Sequence, residues 1–347
     1  MIKVLVVENS PVAREFLVHI LNSAPKIQVI GTAKNGQEAI ETLKNKKPDI
    51  ITMDIHMPGM DGFEATRRIM ETQPVPIIIV SGSSSAGEVA MTFKAMEAGA
   101  LAVVARPKGI GYPDYETTAK ELIQTVKLMS EIKVVRRWPR LKKATHLPTP
   151  RGEVGETLPA IQVVAIGAST GGPIALQTIL SSLPRDFPVP VLIVQHISAG
   201  FLEGFVHWLA QSSSLPVHIA SEGECLLPGH GYVAPEGLHM VVKTRNRIAL
   251  STSEPKDGLR PSVSYLFNSV AQVFGQNAIG ALLTGMGKDG ALGLKLMKDK
   301  GAITIAQDES SSVVYGMPGE AINISAATYV LPPERIAALL ASLVKGK

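Results

Sequence analysis

The sequence predicts an α/β protein: two doubly wound domains on mainly parallel sheets, joined by a linker. Three observations carry that prediction. Strand-like and helix-like segments alternate five times within the first 125 residues. The alternation stops at 133–158, where Lys, Arg, Pro, Thr and Gly replace any periodicity, and it resumes from Ala160. The strand runs are short, apolar and rich in β-branched residues, as strands covered on both faces should be. A chain of 347 residues is long enough for two separate cores. The expected division is a (βα)5 domain over 1–125, a linker over 126–158 and a second α/β domain over 159–347.

In the first domain the strand runs are IKVLVV, QVIGTA, DIITMD, PIIIVSG and LAVVARP. Helical patterns fall at 11–22, 37–45, 62–72, 87–98 and 115–132. Ser10 is an expected N-cap with Pro11 at the first helical position, and Asp61 is the expected cap of the third helix. In the second domain the runs are IQVVAIG, VPVLIVQ, GYVAP, HMVV, RIALST, AIGALLTG and AITIAQ. Helices are expected at 172–182, 201–211, 263–274, 291–300 and 333–344.

Composition is that of a soluble globular protein, with 45% hydrophobic and 18% charged residues. A formal charge of +4 is small for this length and does not argue for nucleic acid. The basic run KVVRRWPRLKK, 133–143, reads as a linker feature. The single cysteine, Cys225, excludes an intrachain disulfide, suits a reducing cytoplasm and is expected as a small buried hydrophobe. No basic-then-apolar leader opens the chain, and no apolar run approaches the roughly 18 residues of a bilayer span. A cytoplasmic protein without membrane insertion is therefore expected.

Four strand ends of the first domain carry polar groups that a parallel sheet would gather on one edge. They are Glu8-Asn9, Asp54, Ser81 and Arg106-Pro107. A carboxylate beside a hard-cation site, with a hydroxyl and a cation nearby, can accept a phosphoryl group. Asn9 offers Mg²⁺ an oxygen without charge, and Glu8 carries its charge one methylene further out than an aspartate would. Glu8, Asn9 and Asp54 thus form a weak candidate magnesium set.

The second domain offers a different chemistry. VVAIGASTGGP places Ser169 where a strand turns through glycines into a helix. By itself this stretch also fits a phosphate-binding loop or a simple helix cap, although Walker and GxGxxG spacings are absent. The next strand ends at His196, and a third ends in TGMGKDG, with Asp289 in a glycine-bracketed loop. Serine as nucleophile, histidine as general base and aspartate as its orienting partner would then come from three strand ends. The order Ser…His…Asp and the lack of GxSxG set it apart from α/β-hydrolases. No Cys/His/Asp cluster has metal-ligand spacing, so no cofactor is expected for this chemistry.

Residues 1–125 resemble a response-regulator receiver domain through VLVVENS, MDIHMPGMDG, IIIVSG and VVARP. The resemblance implies Asp54 as phosphoacceptor, Ser81 as switch hydroxyl and Arg106 as the phosphate contact, in place of the usual lysine and before a proline often held in cis. Glu8 and Asn9 replace the usual two acids, so weakened metal binding and slow phosphorylation are expected. Lys108 lies two positions beyond Arg106 as an alternative cation. From about Ile161 onward the chain resembles the catalytic domain of chemotaxis protein-glutamate methylesterases. The motifs are AIGASTGGP, VQHI, LPGHGYVAP, RPSV, LTGMGKDG and YGMPGEAI. This implies Ser169, His196 and Asp289 as the triad, and an oxyanion hole near Thr170 and Met286. Ser264, following RPSV, departs from an acid common in the family and puts a secondary contact in question.

The implied activity is hydrolysis of glutamate γ-methyl esters on methyl-accepting chemoreceptors, with deamidation of specific glutamines. A chemotaxis histidine kinase would be the phosphodonor. Two competing readings are the same esterase in a non-motility signalling system, and a non-catalytic scaffold that docks on a receptor or kinase.

Overall fold

The structure, a computed structural model, describes residues 1–82, 86–109, 111–132, 134 and 160–344. The first domain runs β1 (Ile2–Val7), α1 (Pro11–Ser23), β2 (Ile27–Ala33), α2 (Gly36–Asn45), β3 (Ile50–Met53), α3 (Gly62–Thr72), β4 (Ile77–Ser81), α4 (Ala86–Ala98), β5 (Ala102–Ala105) and α5 (Tyr115–Met129). Its sheet is parallel, in the order β2-β1-β3-β4-β5. Ser10 Oγ accepts from Ala13 N at the start of α1, and Asp61 Oδ1 accepts from Glu64 N at the start of α3. These caps satisfy donors that a helix N-terminus leaves open.

The second domain runs β6 (Val163–Ala168), α6 (Gly172–Ser182), β7 (Val191–Gln195), α7 (Leu202–Ser212), β8 (Val217–Ile219), β9 (Gly231–Val233), β10 (His239–Thr244), β11 (Arg247–Ser251) and α8 (Val263–Phe274). It continues with β12 (Ala278–Leu282), α9 (Ala291–Asp299), β13 (Ile303–Gln307), α10 (Met317–Asn323), β14 (Tyr329–Leu331) and α11 (Pro333–Val344). The seven-stranded sheet is parallel, in the order β14-β13-β12-β6-β7-β9-β8. Its strand order reverses between β6 and β12, which opens a crevice at their C-terminal ends.

Several expectations need correction. Helix α5 continues to Met129, so a boundary at 125 falls inside it. Val126 and Met129 are buried in the first domain's core, which holds the last turn in place. Strands β10 and β11 stand apart from the main sheet as an antiparallel pair, with Met240, Val242 and Ile248 packed on α8. The short β14 and α10 have no counterpart among the expected elements. β14 is only three residues and largely exposed, so it lacks an apolar signature. Cys225 is exposed, not buried: it lies on a loop bridged to Arg247. The Arg106–Pro107 bond is not cis; the cis peptide among the described residues is Arg260–Pro261. Except for residue 134, the basic run at 133–143 lies outside the described residues.

The two domains share a continuous apolar interface. Phe93 on α4 stacks on Trp208 of α7 with ring centroids 5.6 Å apart, and lies 5.4 Å from Phe205. Glu97, one turn on, accepts hydrogen bonds from Trp208 Nε1 (2.9 Å) and Gln177 Nε2 (2.7 Å). Buried residues of both domains belong to one hydrophobic cluster across this seam.

Candidate active site

The three central strands β6, β7 and β12 deliver the three candidate catalytic side chains to the crevice. Ser169 follows β6. Its backbone N–H donates to Thr284 O (3.0 Å) and its carbonyl accepts from Gln195 Nε2 (2.9 Å). Gly171, at φ 79°, makes the turn into α6, and a Cβ there would fall 2.6 Å from Val313. Opposite, a Cβ on Gly285 would lie 2.6 Å from that of Ser169, so the loop after β12 must be bare at this point.

His196 follows β7, held by its N–H to Ala168 O at 3.0 Å. Its Nε2 lies 3.0 Å from Asp289 Oδ2. That bond assigns the proton to Nε2 in the neutral ring and leaves Nδ1 as the basic nitrogen. No hydrogen bond joins Ser169 Oγ to the ring among the described contacts, but both side chains line one cleft with Asp289. Such contacts commonly tighten only when substrate binds.

Asp289 is the most heavily hydrogen-bonded group in the site. Oδ1 accepts from Ser264 Oγ (2.6 Å), Ser262 Oγ (2.9 Å) and Ser264 N (3.1 Å), and Oδ2 also accepts from Val263 N (2.7 Å). Burial pushes its carboxyl up, but the bonds from His196, Ser264 and Ser262 outweigh that and hold it well below the usual carboxylate range. It is therefore a fixed anion, suited to orient an imidazole and to stabilise its cation. Ser264 thus touches the aspartate directly. The RPSV motif flagged this segment, but periodicity gave no sign that its hydroxyls converge on Asp289.

Thr170 and Met286 line the same cleft. Neither backbone N–H donates to a described protein acceptor, which leaves both available to a developing oxyanion. Gln195, immediately before His196, escaped the sequence reading. Its Nε2 bonds both Ser169 O and His196 O (2.7 Å), tying the two turns together. Its Oε1 is buried without a partner, and a Cβ on Gly172 would fall 2.2 Å from it.

The cleft, about 1040 Å³, has a second wall from the first domain: Phe93 and Met96 of α4, and Glu116, Lys120, Glu121 and Gln124 of α5. Ser198, two residues past His196, donates to Glu121 Oε1 at 2.5 Å. The first domain therefore roofs the triad.

In that domain Glu8, Asp54, Ser81 and Arg106 meet at the C-terminal edge of the sheet, and the first three are buried. Burial, then the nearby charge of Glu8, raises the Asp54 carboxyl above its ordinary value, with Arg106 opposing. Asn9 is exposed, as is His56. Lys108 turns away and pairs with Asp114 at 3.2 Å.

The CheB methylesterase family profile matches residues 164–340, and the response regulator receiver domain profile matches 4–110. The chain belongs to the CheB methylesterase family. A protein-glutamate methylesterase/protein-glutamine glutaminase of Nitrosospira multiformis is 60% identical over 99% of this chain and 97% of its own length. One of Syntrophus aciditrophicus is 56% identical over 99% of this chain and 98% of its own. The crystal structure of the Thermotoga maritima CheB methylesterase catalytic domain covers 53% of this chain and 99% of that one, with a TM-score of 0.52 at 37% identity. The two profiles place a receiver domain before the esterase domain in this chain, and the alignments to both relatives run through both.

Proposed function

We propose that this chain hydrolyses glutamate γ-methyl esters, and deamidates specific glutamines, on methyl-accepting chemoreceptors. Its full-length relatives carry the names of both activities. The observation that carries the mechanism is the His196 Nε2 to Asp289 contact at 3.0 Å, in a cleft that also holds Ser169.

Ser169 Oγ attacks the ester carbonyl while His196 Nδ1 takes its proton. Asp289 holds the ring and stabilises the imidazolium. The Thr170 and Met286 N–H groups meet the tetrahedral oxyanion. Collapse expels methanol, which takes its proton from His196. Water, deprotonated by the same ring, then attacks the acyl-enzyme and releases glutamate and free Ser169. With glutamine the leaving nitrogen must take that proton to depart as ammonia, because amide ion is a far poorer leaving group than methoxide.

In this reading the receiver controls access. Helices α4 and α5 roof the cleft, and a receptor helix cannot approach Ser169 until that roof shifts. A chemotaxis histidine kinase acting on Asp54 would bias the shift, with Ser81 and Arg106 as contacts for the phosphoryl oxygens. Among the described residues no helix is long and apolar enough to cross a membrane. The test is release of methanol from methylated receptor membranes by wild type and by Ser169→Ala. Equal release from both would overturn the proposal.

A further inference from the structure

The receiver site already contains a cation. Arg106 Nη1 lies 2.8 Å from Glu8 Oε2, and the Glu8 side chain is fully buried. The other Glu8 oxygen accepts from Ser10 N at 3.0 Å. Both carboxylate oxygens are thus engaged by the protein itself. The guanidinium lies against the backbone of Gly82, where a Cβ would fall 2.1 Å from Nη2 and 2.5 Å from Cζ. A second arginine, Arg14, donates to the carbonyls of Glu8 (2.7 Å) and Asn9 (3.3 Å).

This donor set does not fit magnesium. Mg²⁺ requires near-octahedral oxygens at about 2.0–2.1 Å and gives up its waters reluctantly. Glu8 Oε2 cannot accept the guanidinium at 2.8 Å and a small dication at that distance together. Asn9 brings no charge to displace the arginine, and among the described residues no group of three or more His, Cys, Asp or Glu could hold a metal. A guanidinium also differs from the compact ammonium of lysine: its planar fork spans the gap and fills it.

We propose that Arg106 is the resident cation of this receiver, occupying the divalent-metal position through its ion pair with Glu8, and that Gly82 is the bare backbone that admits it. The inference stands apart from the esterase reading, because it concerns only what the acidic pocket binds. The receiver pocket of this chain is then insensitive to Mg²⁺ until Arg106 leaves.

The test uses the full chain with Mn²⁺ as probe, free ion being counted by electron paramagnetic resonance, and thermal unfolding in about 10 mM MgCl₂ against EDTA. Wild type should bind no Mn²⁺ in the receiver and melt at the same temperature in both buffers. Arg106→Ala leaves Glu8 buried and unpaired. It should melt lower in EDTA, recover in MgCl₂ and bind one Mn²⁺ under conditions in which wild type binds none. Adding Asp54→Asn should abolish that site. Gly82→Ala, which displaces the guanidinium without deleting a charge, should gain the same site and covers the case in which Arg106→Ala does not fold. One Mn²⁺ bound by wild type with the affinity of these variants would overturn the proposal. So would a folded Arg106→Ala or Gly82→Ala protein that gains no site.

Discussion

Replacing Ser264 by Ala should separate the stability of the site from its chemistry. The Ser264 hydroxyl makes the shortest of the hydrogen bonds to Asp289, at 2.6 Å, and it also accepts from Gly290 N at 3.0 Å. Both residues are buried. A hydrogen bond to a charged group contributes about 1.5–3 kcal/mol, and the orphaned Gly290 N–H adds roughly 1 kcal/mol more. For a domain of this size that corresponds to a fall in melting temperature of about 5–16 °C. Four donors still hold the carboxylate, among them Val263 N at 2.7 Å and Ser262 Oγ at 2.9 Å. The imidazole therefore keeps its orientation, and kcat for methanol release should stay within about tenfold of wild type. The pH dependence has a definite sign. Asp289 is depressed in the fold, so its contribution is fully present above the ordinary value of 3.8 and is lost as pH falls further. The stability difference between wild type and Ser264→Ala, read from urea titrations, should be constant near neutrality and narrow in acid below that value. A variant within about 0.5 kcal/mol of wild type at pH 7 would show that the hydroxyl does not hold Asp289, and would refute the reasoning.

Three further outcomes follow from other contacts. Asp289→Asn removes the anion that orients His196 and should lower kcat about 10⁴-fold; a loss below tenfold would exclude the proposed role. Phe93→Ala removes the ring stacked on Trp208 at the seam. Aromatic pairs contribute about 0.5–1.5 kcal/mol beyond burial, so the open-to-roofed ratio should rise at least several-fold and basal esterase activity of the full chain should rise correspondingly; an unchanged basal rate would mean that α4 does not restrain access. His239 is buried, stacked on Tyr265, with Nδ1 accepting from Ser262 N and Nε2 facing Glu254 O. Burial lowers its pKa, so the stability of the neutral ring is complete above 6.5 and declines as pH falls below it, by at most about 1.4 kcal/mol per unit. His239→Gln should flatten that slope in urea titrations between pH 7 and 5, and an unchanged slope would assign it to another group.

Much of this molecule could be read from local pattern. Alternating apolar runs and caps marked the parallel strands and most helices, because strands buried on both faces leave a signal that needs no long-range context. Ser10 and Asp61 act locally, so their capping roles were visible in the sequence. Ser169, His196 and Asp289 could be singled out because each follows a strand, directly or in the loop after it, and a parallel sheet collects such segments on one edge. What tertiary structure alone decided was which groups meet across long separations. Ser262, the N-cap of α8, and Ser264, in its first turn, reach Asp289 across the site, and Glu97 meets Trp208 from another domain. Nothing in VVENSPV or VVARP announces that Arg106 closes on Glu8, 98 residues away. That pairing depends on β1 and β5 sharing a sheet and on Gly82 leaving room for a guanidinium. Local sequence sets secondary structure through short-range sterics and periodicity, whereas charge pairing and site closure are set by distances that exist only once the chain has packed.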